Sequence, residues 1–214
     1  MRIKSNAIKG LAAAALVALS ATACSSASAS GVDSSKPVAQ IPALSGQSTA
    51  VALDAGFVAA LTTLKLTPGT VGTATLADGS LSFPITGGNV TYYTPYSRMP
   101  YVTGDIEHKG SGLSLTAGST KVELTNFDID PGTSKLYGDV TVNGASAATH
   151  AYLFNLDGST LKPLQTGADG TAILEGTRVL ISPDAATVLD KVFATDAVKA
   201  GLLVGIAKIT VNTK

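Results

Sequence analysis

The sequence predicts a mainly β domain, an antiparallel sandwich or open barrel with two or three short peripheral helices. Three observations lead there. Apolar and polar residues alternate with a period of two over most of the second half of the chain, as half-buried strands require. Turn pairs such as Asp78-Gly79 and Asn143-Gly144 punctuate those runs. The composition is turn-rich, with 22 glycines and 9 prolines among 214 residues, 45% apolar and 14% charged. So apolar a chain is not disordered, and with 15 basic against 15 acidic residues it has no cationic excess to neutralise phosphates. Nucleic acid is therefore not an expected partner.

Arg2, Lys4 and Lys9 form a basic start, and residues 10–23 follow as an uncharged Ala/Leu-rich stretch. This is the pattern of an export signal, too short to span a bilayer. Cys24, the single cysteine, stands directly after Ala21-Thr22-Ala23. Small residues followed by cysteine resemble the lipobox of bacterial lipoproteins, although Ala21 replaces the usual larger aliphatic residue. The resemblance implies cleavage after residue 23 and lipid attached to the Cys24 sulfur, with palmitate among the acyl groups. The alternative is an ordinary cleavage after Ala29, which would release a secreted protein. Either way the mature domain keeps no pairable thiol, so burial rather than disulfides must hold it together.

Residues 24–49, rich in Ser, Ala and Pro, read as a flexible tether, and residues 50–214 as a single β-rich domain. Asp54 can cap a helix whose Phe57, Val58, Leu61 and Leu64 recur at helical spacing, with Pro68-Gly69 closing it. The period then changes to two. Leu76, the Asp78-Gly79 turn, and Leu81, Phe83 and Ile85 predict a hairpin. Strands are expected from Tyr101 to His108, then across Gly110-Ser111-Gly112 to Ala117. In the next run Phe127 and Ile129 fall out of phase with Val122 and Leu124, which predicts a bulge. Further strands are expected through Leu136–Val142, His150–Leu156 and Thr171–Ile181. Ser182, Pro183 and Asp184 give a helix start, a second helical turn is expected between residues 195 and 201, and residues 202–211 end the domain as a strand.

Catalytic patterns are scarce. There is no G-x-S-x-G, the cysteine leaves with the signal or carries lipid, and His108 and His150 are the two imidazoles available. Ser159-Thr160-Leu161-Lys162 has S-x-x-K spacing but lies between turn residues, where a helix is needed. Asp105, Glu107, Asp139 and Glu175 could pair for glycan hydrolysis only if their strands are neighbours. Asn126, Asp128 and Asp130 alternate like calcium ligands but lack the closing glutamate, so no metal site is expected. The richest segment holds four of the six tyrosines, Tyr92, Tyr93, Tyr96 and Tyr101, with Pro95, Arg98, Met99 and Pro100. Rings and hydroxyls together suit a ligand surface or the covering of a sheet. His108 shares parity with Val102 and Ile106, which predicts a hydrogen-bonded core histidine.

The run Gly104-Asp-Ile-Glu-His108-Lys-Gly110-Ser-Gly112-Leu-Ser-Leu115, with Val122-Glu-Leu124 and Asp130-Pro-Gly-Thr, resembles the central stretch of HtaA-type haem-binding domains. The resemblance covers residues 104–140. It implies a β-rich exported domain that ligates haem iron through a tyrosine with a histidine nearby. By position it transfers His108 alone. No tyrosine lies between Ala50 and Gly88, so a phenolate ligand would come from Tyr92, Tyr93, Tyr96 or Tyr101.

These observations lead first to a non-enzymatic envelope lipoprotein, anchored to the membrane through Cys24, whose β domain binds an envelope protein, a glycan or a small hydrophobic ligand. On that reading no cofactor is expected. The alternative is a carrier of haem or another hydrophobic ligand that uses His108 and the Tyr92–Tyr101 cluster. A glycan hydrolase comes third.

Overall fold

The computed structural model describes residues 36–167 and 169–213; Cys24 and the segment read as an export signal lie outside them. The strands are β1 Ala39–Ile41, β2 Gln47–Leu53, β3 Thr67–Gly72, β4 Thr75–Ala77, β5 Ser80–Pro84, β6 Gly87–Tyr92 and β7 Val102–Ala117. They continue with β8 Thr120–Asp130, β9 Lys135–Val142, β10 Ala145–Asp157, β11 Gln165–Thr166, β12 Thr171–Ile181 and β13 Leu203–Asn212. Helix α1 spans Ala55–Thr63 and α2 Pro183–Phe193, with a 3-10 turn at Gly158–Thr160. All pairings are antiparallel, in the order β1-β6-β7-β8-β9-β10-β12-β13-β2-β5-β4, so the mainly β expectation holds.

The sheet curls strongly. Phe83 on β5 and Phe127 on β8 are far apart in strand order, yet their rings meet edge to face with centroids 5.1 Å apart. A continuous apolar cluster fills the curl, from Leu44 to Val211 along the chain. Ser34–Lys214 forms one compact unit that contains this whole cluster. Among the described residues no helix is long and apolar enough to cross a membrane.

Local chemistry explains the elements that sequence reading anticipated. Asp54 Oδ1 accepts from the amides of Gly56 and Phe57 at 2.8 and 3.2 Å and starts α1. Ser182 Oγ accepts from the Ala185 amide at 3.0 Å and donates to the Tyr152 carbonyl at 2.7 Å, so a buried cap also pins α2 to β10. Asp78 and Gly79 both have positive φ, 50° and 73°, as the β4–β5 turn requires. The phase slip in β8 is real: pairing with β9 shifts between Thr125 and Asp128, around Asn126 at φ 53°.

Three expectations need correction. Strand pairing begins at Ala39, inside the stretch read as tether. An edge strand of three residues binds through backbone hydrogen bonds and needs no side-chain alternation, so its sequence carries no signal. Pro68-Gly69 does not simply close α1 but lies within β3, paired to the far half of β7; an edge position tolerates the missing amide of proline. Residues 195–201 form bends and a turn rather than a helix, because the chain must return at once to start β13.

Candidate functional site

The inward faces of β2, β5, β6, β7, β8, β9, β10, β12 and β13 enclose a cavity of about 480 Å³. Its wall is overwhelmingly aliphatic and aromatic and, among the described residues, contains no Asp, Glu, Lys or Arg. The two helices follow the C-terminal ends of β2 and β12, at one end of the curled sheet. At the other end the wall is formed by the loop between β6 and β7, the β8–β9 turn at Pro131 and Ser134, and residues 158–164. That end is open: Tyr96 and Met99 belong to the wall and are 91% and 80% exposed.

His108 sits in this wall and is 1% exposed. Strand alternation aims it inward with Ile106, opposite Phe127 of β8. Its Nε2 lies 2.8 Å from Thr49 Oγ1, and its Nδ1 a long 3.4 Å from the Phe127 carbonyl. With the ring proton on Nδ1, Nε2 accepts from the Thr49 hydroxyl. β7 and β2 lie on opposite walls of the curl, so this bond ties them together from inside. Burial, with no anion alongside, lowers the His108 pKa from 6.5 to about 4, and the ring is neutral at physiological pH. Ser111, fully buried beside it, donates to the His108 carbonyl at 3.1 Å and supports the bulge at Gly110.

Three of the four clustered tyrosines reach the cavity with His108. Tyr92 is buried in the wall, Tyr101 is half-buried above it, and Tyr96 stands at the rim. Tyr92 and Tyr101 meet edge to face at 6.1 Å, and the rings of Tyr96 and Tyr101 are tilted by 41° at 6.3 Å. Burial, followed by the neighbouring phenols Tyr92 and Tyr96, raises the Tyr101 pKa above 10.0. The hydroxyls of Tyr92, Tyr96 and Tyr101 have no hydrogen-bond partner among the described residues. Tyr93 is outside the group. It alternates to the opposite face of the chain, where Arg98 lies over its ring at 4.2 Å.

The carboxylates and His150 are outside the cavity, whereas Ser159 lies in its wall without Lys162. Asp105, Glu107 and Asp128 gather on the outer face of β7 and β8. One oxygen of Asp128 is buried without a partner, and burial followed by repulsion from Asp105 raises its pKa above 3.8. Asp139 accepts from Asn126 at 2.8 Å and from the His150 amide at 3.0 Å, and His150 stacks on Tyr137 at 4.6 Å. Glu175 pairs with Lys162 at 2.5 Å. No group of His, Cys, Asp and Glu able to hold a metal occurs among the described residues. Thr49 is the residue that sequence reading missed; the alternation of Thr49, Val51 and Leu53 would have placed it in the strand.

No family model matches the chain, and no curated protein matches it significantly. Among solved structures there is a likeness. The fold is similar to that of the C-terminal domain of HtaA from Corynebacterium glutamicum. The TM-score is 0.53 at 15% sequence identity, covering 79% of this chain and 97% of that domain. A domain-swapped dimer of a histidine-to-alanine variant of the same domain gives a TM-score of 0.48 at 16% identity, over 74% and 91% of the two chains. At such identities the likeness to HtaA concerns the fold alone.

Proposed function

We propose that the domain is a non-catalytic carrier that holds one hydrophobic ligand inside the curled sheet, with haem the leading candidate, and that lipid on Cys24 keeps it at the membrane of the cell envelope. The observation that carries this reading is the cavity of about 480 Å³ with no charged residue in its wall. Preformed apolar clefts of this size with a few polar groups are the usual form of small-molecule sites. A void this large costs stability unless something fills it.

Haem follows from the HtaA-type resemblance around His108, and the residues present fit it. Phenol and imidazole are both haem-iron ligand types, and the wall offers Tyr92, Tyr96, Tyr101 and a neutral His108. His108 Nε2 is committed to Thr49, whereas the three phenols have no partner among the described residues, which favours one of those tyrosines as the iron ligand. His108 then shapes the wall rather than binding iron. With no Lys or Arg in the wall, the haem propionates would remain at the open end, in water.

Residues 34–214, titrated with haemin, test the proposal. One equivalent is expected to bind with a Soret shift, and loss of one tyrosine from Tyr92, Tyr96 and Tyr101 should change the spectrum. Binding of a neutral apolar fluorophore without haemin binding would keep the carrier and exclude haem. Binding of neither would remove the proposal.

A further inference from the structure

We infer that the open end of the cavity is a membrane-docking surface: Val38, Tyr96 and Met99 form an apolar rim that inserts at the lipid–water interface, so that ligand passes between the bilayer and the cavity without crossing water. The purpose of this device and its lipid tether rest on the reading above; the position of the apolar rim does not.

Five large apolar residues are exposed among the described residues, and Tyr96 at 91%, Met99 at 80% and Val38 at 61% are the three most exposed. The other two, Val58 and Leu76, lie on α1 and β4. The first three gather at one place. The Val38 amide donates to the Tyr92 carbonyl at 2.8 Å, and the Tyr93 amide donates to the Tyr101 carbonyl at 2.7 Å, closing the loop that carries Tyr96 and Met99. Val38 thus stands at the base of the loop whose tip projects from the cavity's open end. Exposing tyrosine and methionine here is unfavourable in water, and an interfacial location removes that cost. Tyrosine is suited to such a boundary, with an apolar ring and a polar hydroxyl. Arg98 in the same loop has the long stem and charged head that reach back to the headgroups.

The occupant is a bilayer rather than a protein because of where the chain enters. β1 is the first described strand, and it joins the sheet beside Tyr92, at the open end. From Cys24 to Val38 the chain can reach at most about 50 Å. A domain held by lipid on Cys24 is therefore tethered at the rim of its own cavity, whereas the helices lie at the other end of the sheet. The tether and the apolar rim favour the same orientation, and their effects on membrane contact multiply.

The test uses residues 34–214, without lipid, mixed with vesicles of phosphatidylcholine and phosphatidylglycerol that carry brominated acyl chains. The protein has no tryptophan, and four of its six tyrosines lie at positions 92–101, so quenching of tyrosine emission reports insertion of the wild-type rim, while co-sedimentation with the vesicles measures binding of wild type and both variants. The wild-type domain should bind and be quenched. The double variant Tyr96→Ser/Met99→Ser should bind about tenfold more weakly, a loss set by the apolar area withdrawn, while Val58→Ser/Leu76→Ser should bind like wild type. Absence of wild-type binding, an equal loss in both variants, or a rim buried in a stable dimer of the domain would each overturn the inference. Haemin titration in vesicle-free buffer is a separate readout: its failure removes the ligand reading and leaves docking intact, and the reverse result does the opposite.

Discussion

Replacing His108 with glutamine should change how the domain responds to acid more than it changes the domain at neutral pH. The ring is buried and neutral, with a pKa lowered from 6.5 to about 4. In the unfolded chain the same imidazole takes a proton near its ordinary value. Between those two values the unfolded state binds more protons than the folded one, so stability falls as pH drops. The contribution is fully present above the unfolded value and is spent by the time pH reaches the folded one. Going from about pH 7 to about pH 5 should cost about 2 kcal/mol from this group alone. Asp139, Asp157, Glu123 and Glu175, whose carboxyls are held below their usual range by hydrogen bonds and ion pairs, add to the loss of stability as the pH falls further. Comparing wild type with His108→Gln removes their share. The variant loses the Thr49 bond or bends it, which at neutral pH should cost about 1–3 kcal/mol. Its stability should then fall less steeply with acid, by the same ~2 kcal/mol. Urea denaturation at both pH values gives the numbers. Parallel pH profiles for the two proteins would show that His108 titrates normally and is not sealed in the cavity wall.

Three further outcomes follow from the same structure. Ser182→Ala should lower stability by about 1–2 kcal/mol in thermal or urea unfolding, since it removes both the α2 cap and the bond to β10. Asp128→Asn should raise the melting temperature near neutral pH, because burial and the neighbouring Asp105 disfavour the carboxylate there; the difference should shrink as the pH falls and wild-type Asp128 becomes neutral. Gly138→Ala should destabilise by about 1–3 kcal/mol, for a Cβ there would lie 2.8 Å from Leu153 Cδ1 and the Thr125 carbonyl oxygen and 2.9 Å from Phe127 Cδ1.

What was legible in the sequence was local. Asp54, Ser182-Pro183, Asp78-Gly79 and the misplaced phase of Phe127 each fix the chain within a few residues, so a single sequence reveals them. Parity alone aimed His108 inward, whereas the separation of Tyr93 from Tyr92, Tyr96 and Tyr101 came only with the structure. The cavity was not legible, because it depends on how far the sheet curls. That is decided by contacts such as His108 with Thr49, 59 residues apart, and Phe83 with Phe127. Thr49 was hidden for a second reason: it stands at the end of a Ser/Gly/Pro-rich stretch whose composition outweighed a short alternating run.

The central claim is that the interior of the curled sheet is the ligand site, and a cavity-filling variant tests it most directly. Ala207, on the cavity wall and 3% exposed, is well placed for replacement by phenylalanine. Haemin and a neutral apolar fluorophore would be titrated into wild type and Ala207→Phe, with circular dichroism confirming an unchanged β spectrum. The account predicts saturable one-to-one binding to wild type and at least about tenfold weaker binding to the folded variant, as lost cavity volume demands. Equal binding to both folded proteins would place the ligand elsewhere and contradict the account.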